Sequence, residues 1–162
     1  MKAFKEAGQT LAFLSVGPLG ERRAYMDLLL LADPCVEMVE RYLGRGVMLA
    51  AMENGQAVGV IVAVPEAAEC WEIKNLAVRE DMHRRGFGRA LIAACERECQ
   101  KRGASRMTVG TADTSHGNLD FYEKCGYRRE RVLKNFFTDN YPEPVYDEGE
   151  QCVDMIYLGK TL

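Results

Sequence analysis

Met82-His83-Arg84-Arg85-Gly86-Phe87-Gly88-Arg89-Ala90-Leu91 closes one apolar run and opens another. Upstream, Trp71-Glu72-Ile73-Lys74-Asn75-Leu76-Ala77-Val78 reads as a buried strand. Downstream, Phe87, Leu91, Ala94, Cys95 and Cys99 recur at helical spacing to about Arg102. The glycines therefore fall at a strand-to-helix turn, where they permit positive φ and close backbone approach. The first amides of a helix lack intrahelical acceptors and sit at the positive end of its dipole, so an anion such as phosphate is the natural occupant. Arg84, Arg85 and Arg89 add fixed positive charge beside it.

Working outward, Pro18 to Leu31 and Pro34 to Leu43 read as a helical pair, the second with Asp33 as its cap and Pro34 at its first position. Val47 to Glu53 and Gln56 to Val64 read as strands joined by Asn54-Gly55, a two-residue hairpin signal. Pro65 to Glu69 is expected to be a surface connection. Gly103 ends the long helix, and Met107 to Thr111 is a strand reached by a right-handed crossover, hence parallel to Trp71–Val78. Thr114 to Asn118 supplies turn and cap residues for a short helix, Leu119 to Lys124, and Tyr127 to Val132 and Cys152 to Leu158 form a last strand pair. Between them, Leu133 to Gln151 is aromatic and acidic and too long for a plain turn, which marks it as functional.

The chain has 162 residues, a length that suits one domain over 1–162 with a real core. No apolar run approaches the ~20 residues of a membrane span. Leu11 to Val16 is too brief for a signal-peptide core, so a cytoplasmic location is expected. A formal net charge of −3 argues against a general nucleic-acid binder. Six cysteines lack a CxxC pair and two histidines lack zinc-ligand spacing, so no metal is expected and the thiols read as buried.

The order helix pair, hairpin, strand, RRGFGR turn, long helix, strand, short helix with Phe121-Tyr122-Glu123-Lys124-Cys125-Gly126-Tyr127, strand pair resembles the GNAT superfamily of N-acetyltransferases from about Val47 to Leu158. The family turn is Gln or Arg, two residues, Gly, one residue, then Gly or Ala; here His83 takes the first slot and gives it a titratable group. The resemblance implies an α/β (α+β) fold: a central mixed, mostly antiparallel sheet with a splayed parallel strand pair and flanking helices. It implies acetyl-CoA as cofactor, its pyrophosphate on the backbone of Arg84, Arg85, Gly86, Phe87, Gly88 and Arg89 beside His83. The pantetheine arm would follow Leu76, Ala77 and Val78, with Asn118 as a further contact.

The resemblance also assigns Tyr122 as the acid that protonates the departing thiolate. A phenol has a pKa near ~10 and a thiol near ~8.5, so a neutral donor is present at pH 7. Read without the family, Tyr122 is a packed helix aromatic. Glu72 matches the strand glutamate that serves as general base in part of the superfamily, and reads equally as a solvated strand charge. Strand alternation puts Asn75 on the face opposite Glu72 unless a bulge intervenes. Asn118 reads as a contact or a helix cap, and His116 as a solvent-facing loop residue.

The expected acceptor is a primary amine, either a small cationic molecule or a peptide or protein amine, because carboxylates and aromatics of Phe136 to Glu150 can hold a cation. That segment reads equally as a solvated hairpin or the contact of a homodimer. The rival functions are a catalytically silent acyl-CoA-binding or sensory module, and a nucleotide binder. The latter lacks both GxxxxGK followed by Ser or Thr and the GxGxxG spacing.

Overall fold

The computed structural model of the chain describes residues 2–6 and 9–162, with side chains from Ala12 onward. Strands β1 (Lys2–Glu6) and β2 (Gln9–Ser15) precede helices α1 (Leu19–Arg23), α2 (Met26–Ala32) and α3 (Val36–Leu43). Then come β3 (Val47–Glu53), β4 (Gln56–Ala67), β5 (Cys70–Val78), a 3-10 turn (Glu80–Met82) and α4 (Phe87–Lys101). The chain closes with β6 (Arg106–Ala112), α5 (His116–Lys124), β7 (Arg128–Leu133), α6 (Phe136–Asn140), the small pair β8 (Tyr146–Asp147) and β9 (Glu150–Gln151), and β10 (Met155–Thr161). No helix among the described residues is long and apolar enough to cross a membrane.

Eight strands form one sheet in the order β1-β2-β3-β4-β5-β6-β10-β7. Every neighbouring pair is antiparallel except β5 and β6, which are parallel. The Asn54-Gly55 hairpin forms as expected, with φ of 52° and 77°, the two positive values that a primed turn demands. One face of the sheet buries Phe87, Leu91, Cys95 and Cys99 of α4 and Leu119 and Tyr122 of α5. The other buries Leu29 of α2 and Val39, Tyr42 and Leu43 of α3.

Four expectations are corrected. β4 runs on to Ala67 instead of stopping at Val64, with a register shift between Pro65 and Ala67, a place where the missing proline N–H is tolerated. The expected helix over 18–31 is two helices, because Arg22 is drawn into the interior. Its guanidinium donates to the carbonyls of Val16 (3.2 Å), Gly17 (2.9 Å), Leu43 (2.9 Å), Arg45 (2.8 Å) and Gly46 (2.9 Å), and the helix ends at the next residue, Arg23. Asp33 does not cap α3; its Oδ1 accepts from the Cys35 amide at 3.3 Å, Cys35 is the N-cap, and the helix starts at Val36. Cys95, Cys99 and Cys152 are buried thiols, but Cys35, Cys70 and Cys125, at the ends of elements, are half-buried.

The feature that shapes the site is a bulge in β5. Asn75 pairs with Val62 and Ile73 with Ala63, so Lys74 is the extra residue. Trp71 and Ile73 pack toward α4, while Ala77 packs toward α2 and α3. The bulge thus places Glu72 and Asn75 on one face, as the alternation alone would not. Parallel pairing of β5 and β6 covers only Cys70–Ile73 with Arg106–Val109, and beyond it the strands part.

Candidate active site

A cleft of about 600 Å³ opens where β5 and β6 separate. Lys74 to Val78 form one wall and Val109 to Ala112 the other; Asn118 and Tyr122 of α5, Leu30 to Pro34 at the end of α2 and just beyond it, and Phe137, Tyr141 and Tyr146 complete it. Of the residues singled out from the sequence, Leu76, Ala77, Val78, His83, Asn118 and Tyr122 share this lining.

The turn after β5 is a row of unclaimed backbone donors. The His83 amide donates to Glu80 O (3.2 Å) and the Ala90 amide to Gly86 O (3.0 Å), and no acceptor among the described residues takes the amides of 84–89. Arg84 (φ 65°) and Gly86 (φ 81°) are both left-handed, the alternation that turns successive N–H groups toward one concavity. Gly86 is the N-cap of α4, so the helix dipole adds its positive end there. The side chains of the turn divide differently from the expectation. Arg85 is bound to Glu53 (2.9 and 3.3 Å) and lies over the Phe87 ring, while Phe87 itself is a core residue that offers only its amide. Arg84 and Arg89 are exposed. His83 Nε2 lies 2.9 Å from Val78 O, and since a carbonyl only accepts, Nε2 carries the proton.

Tyr122 is 7 % exposed and is held edge-on by Phe121 (5.3 Å) and Tyr127 (6.1 Å). Burial, reinforced by the charge Cys125 carries when ionised, pushes its pKa above the ordinary tyrosine value and keeps the phenol neutral. Asn118 is the third residue of α5; the cap position belongs to Ser115, whose hydroxyl bonds Asp147 and ties the helix start to β8. His116 is exposed.

Glu72 is 4 % exposed and does not join the cleft lining. Its carboxylate is taken by the Lys74 ammonium and the Tyr157 hydroxyl. Burial works against the charged form of Lys74, but hydrogen bonds and the charges of Glu72 and Glu66 outweigh it and raise its pKa. Of the two residues expected at the reacting centre, Tyr122 lines the cleft and Glu72 does not.

The sequence reading missed the polar network at the opposite end. Asn75 Nδ2 donates to Leu29 O (2.9 Å) and to Tyr42 Oη (3.0 Å); Tyr42 Oη lies 3.5 Å from Asp33 Oδ2, and Tyr141 Oη donates to Asp33 Oδ1 (3.0 Å). In the sequence Asp33 reads as a cap, because capping is the commonest role of an aspartate before a helix. The one signal that pointed here was the aromatic segment carrying Tyr141. That segment is no plain turn, and the hairpin it contains is largely exposed. It folds as α6 and the β8–β9 pair, docked by Phe137 N to Val153 O (3.0 Å), Cys152 N to Val145 O (2.8 Å) and Asn135 N to Asp154 Oδ1 (2.9 Å), with Phe137, Tyr141 and Tyr146 in the cleft.

A parallel strand pair splayed over a helix N-terminus with free amides, roofed by a second helix bearing a buried tyrosine, is the architecture of an acyl-group transferase. The model of the acetyltransferase (GNAT) family matches residues 6–127, and the chain belongs to that family. The uncharacterized N-acetyltransferase YvbK of Bacillus subtilis is 37% identical over 132 residues, covering 82% of this chain and 85% of the relative. Among solved structures, an IAA acetyltransferase from Bacillus cereus superposes with a TM-score of 0.87 at 31% identity, covering 94% of this chain and 99% of that one. A GNAT family acetyltransferase from Elizabethkingia anophelis with acetyl-CoA bound gives 0.85 at 35% identity, covering 94% and 98%.

Proposed function

We propose that the protein moves an acetyl group from acetyl-CoA to a primary amine by direct attack within a ternary complex, the acceptor being a small cationic amine or a peptide or protein amine. The observation that carries this reading is the row of unclaimed amides over 84–89 leading into the parted β5–β6 edge. The donor set fits the group: backbone N–H at a helix start suits a pyrophosphate, and the unpaired edge at Leu76, Ala77 and Val78 suits an arm that carries amides. The acetyl-CoA held by the relative from Elizabethkingia supports the same assignment.

Acetyl-CoA supplies an activated thioester. The amine must be neutral to form the new N–C bond as the C–S bond breaks; one proton leaves nitrogen for solvent, and the thiolate takes one from Tyr122, which solvent then restores. A phenol kept neutral by burial suits that task. We assign Glu72 to holding Lys74 and Tyr157 in place rather than to taking the amine's proton, because its carboxylate is already engaged by those two groups and does not contribute to the cleft lining. An acceptor-library assay that reads released thiol, joined to calorimetric titration with acetyl-CoA, tests the reading. Binding without turnover on any amine would leave a sensory module, and no binding at high micromolar acetyl-CoA would sink the assignment altogether.

A further inference from the structure

The cleft contains a carboxylate without a counter-ion. Asp33 is partly buried and lines the cleft, and among the described residues no lysine or arginine pairs with it; the ion pairs engage other carboxylates. Hydroxyls of Tyr141 and Tyr42 and the Cys35 amide supply its hydrogen bonds, but burial outweighs them and its pKa lies above the ordinary aspartate value. Such a group gains from any cation that enters.

A second acceptor lies next to it. Asn75 is 3 % exposed, and its Oδ1 is buried with no partner. The orientation of the amide is fixed, because Leu29 O can only accept and so must face Nδ2. Nδ2 of the same amide is linked to the Asp33 carboxylate through the single hydroxyl of Tyr42, so both acceptors belong to one network. A third observation concerns the rings: Phe137 and Tyr141 stack with centroids 5.4 Å apart and both line the same cleft. A carboxylate that no cation neutralises and an amide oxygen without a donor, flanked by aromatic faces, suit a group with several N–H donors and a positive charge, which is an ammonium.

A nitrogen held by an ionised carboxylate keeps its proton, so its lone pair is not free for acyl transfer. The nitrogen bound at Asp33 is therefore not the one acetylated, and the acceptor needs two. We propose that Asp33, Asn75 and the Phe137–Tyr141 pair hold the distal ammonium of a diamine-type acceptor while its other amine receives the acetyl group. This rests on the acetyltransferase reading given above.

Initial rates with acetyl-CoA on 1,4-diaminobutane, 1,5-diaminopentane and butylamine provide the test. The diamines are expected to exceed butylamine in kcat/KM by about 30-fold, as a carboxylate–ammonium contact in a partly desolvated site allows. Asp33→Asn should bring that ratio to within about 3-fold, chiefly by raising the diamine KM, with acetyl-CoA affinity unchanged. Phe137→Leu leaves the carboxylate intact and should cut the ratio about 5-fold, which keeps the idea testable if Asp33→Asn folds poorly. Equal rates on butylamine and the diamines would overturn the proposal, as would an Asp33→Asn enzyme that loses turnover on all three amines alike, since Asp33 would then be the base. A wild-type enzyme that binds acetyl-CoA but acetylates none of the three also overturns it. Failure to bind acetyl-CoA strikes instead at the underlying reading.

Discussion

Replacing Gly86 and Gly88 singly by alanine separates two roles that one motif conceals. Gly86 has φ +81°, yet a Cβ built on it meets nothing within 4 Å. Its requirement is conformational, and an L residue held in the left-handed region costs about 1–2 kcal/mol. Gly86→Ala must either accept that strain or rotate the turn, and rotation breaks the row of amides that starts α4. Gly88 has an ordinary helical backbone, but its Cβ would lie 3.2 Å from Phe121 Cζ and 3.9 Å from Val78 Cγ2. The half-buried Phe121 ring gives by a few tenths of an ångström, and removing glycine from a helix returns roughly 0.5–1 kcal/mol, so the two effects nearly cancel. Urea unfolding and calorimetric titration with acetyl-CoA read both quantities. Gly86→Ala should lose about 1–2 kcal/mol of stability or, where the turn relaxes, about tenfold in affinity. Gly88→Ala should stay within about 0.5 kcal/mol and threefold of wild type. A Gly86→Ala protein unchanged in both measurements, or a Gly88→Ala protein that is the worse of the two, would refute this division.

Arg22→Met strips the buried carbonyls of Val16 and Leu43 of their donors, and at about 1–3 kcal/mol for each unsatisfied acceptor it should lose about 2–6 kcal/mol in urea unfolding; a loss under about 1 kcal/mol would mean that water replaces the guanidinium. Tyr122→Phe should lower kcat about 100-fold with acetyl-CoA affinity nearly unchanged, and unaltered turnover would remove Tyr122 from the chemistry. Because burial raises the Tyr122 pKa, its protonated form persists as pH rises, so wild-type kcat should show no alkaline decline from this group below about pH 10. Glu72→Gln should destabilise the fold by about 1–3 kcal/mol by releasing Lys74 and Tyr157 while leaving the acid limb of the kcat profile in place; a shifted limb would restore Glu72 as the base.

The parts of the fold that the sequence announces are those written in local chemistry. The Asn54-Gly55 turn, the apolar spacing of α4 and the glycines at its start each act within a few residues, and each appears where the pattern puts it. What escaped is non-local. Arg22 on the surface of a helical pattern looks solvated, and only the fold brings Leu43 and Arg45 to its guanidinium. Strands β1 and β2 carry no turn signal strong enough to mark them, and their partner β3 decides their pairing. The β5 bulge is invisible in Trp71 to Val78 because it arises from register with β4, and it alone moves Asn75 onto the face that Glu72 occupies.

The same distinction runs through the site and explains why its two ends differ in legibility. The end beneath α4 works through backbone amides in one contiguous turn, so a short motif suffices and side-chain departures such as His83 leave the amides in place. The other end is assembled from Tyr42 of α3, Asn75 of β5 and Phe137 of α6, with Asp33 and Tyr141 just after α2 and α6, and these meet only in three dimensions. Asn75 joins the two. Its strand supplies the free edge along Leu76 to Val78, while its amide anchors α2 through Leu29 O and α3 through Tyr42. A shift of β5 at the bulge therefore moves the Asp33–Tyr42–Asn75 network together with the free strand edge, so in the proposed reaction the Lys74 bulge is the element that would set the alignment of the two substrates.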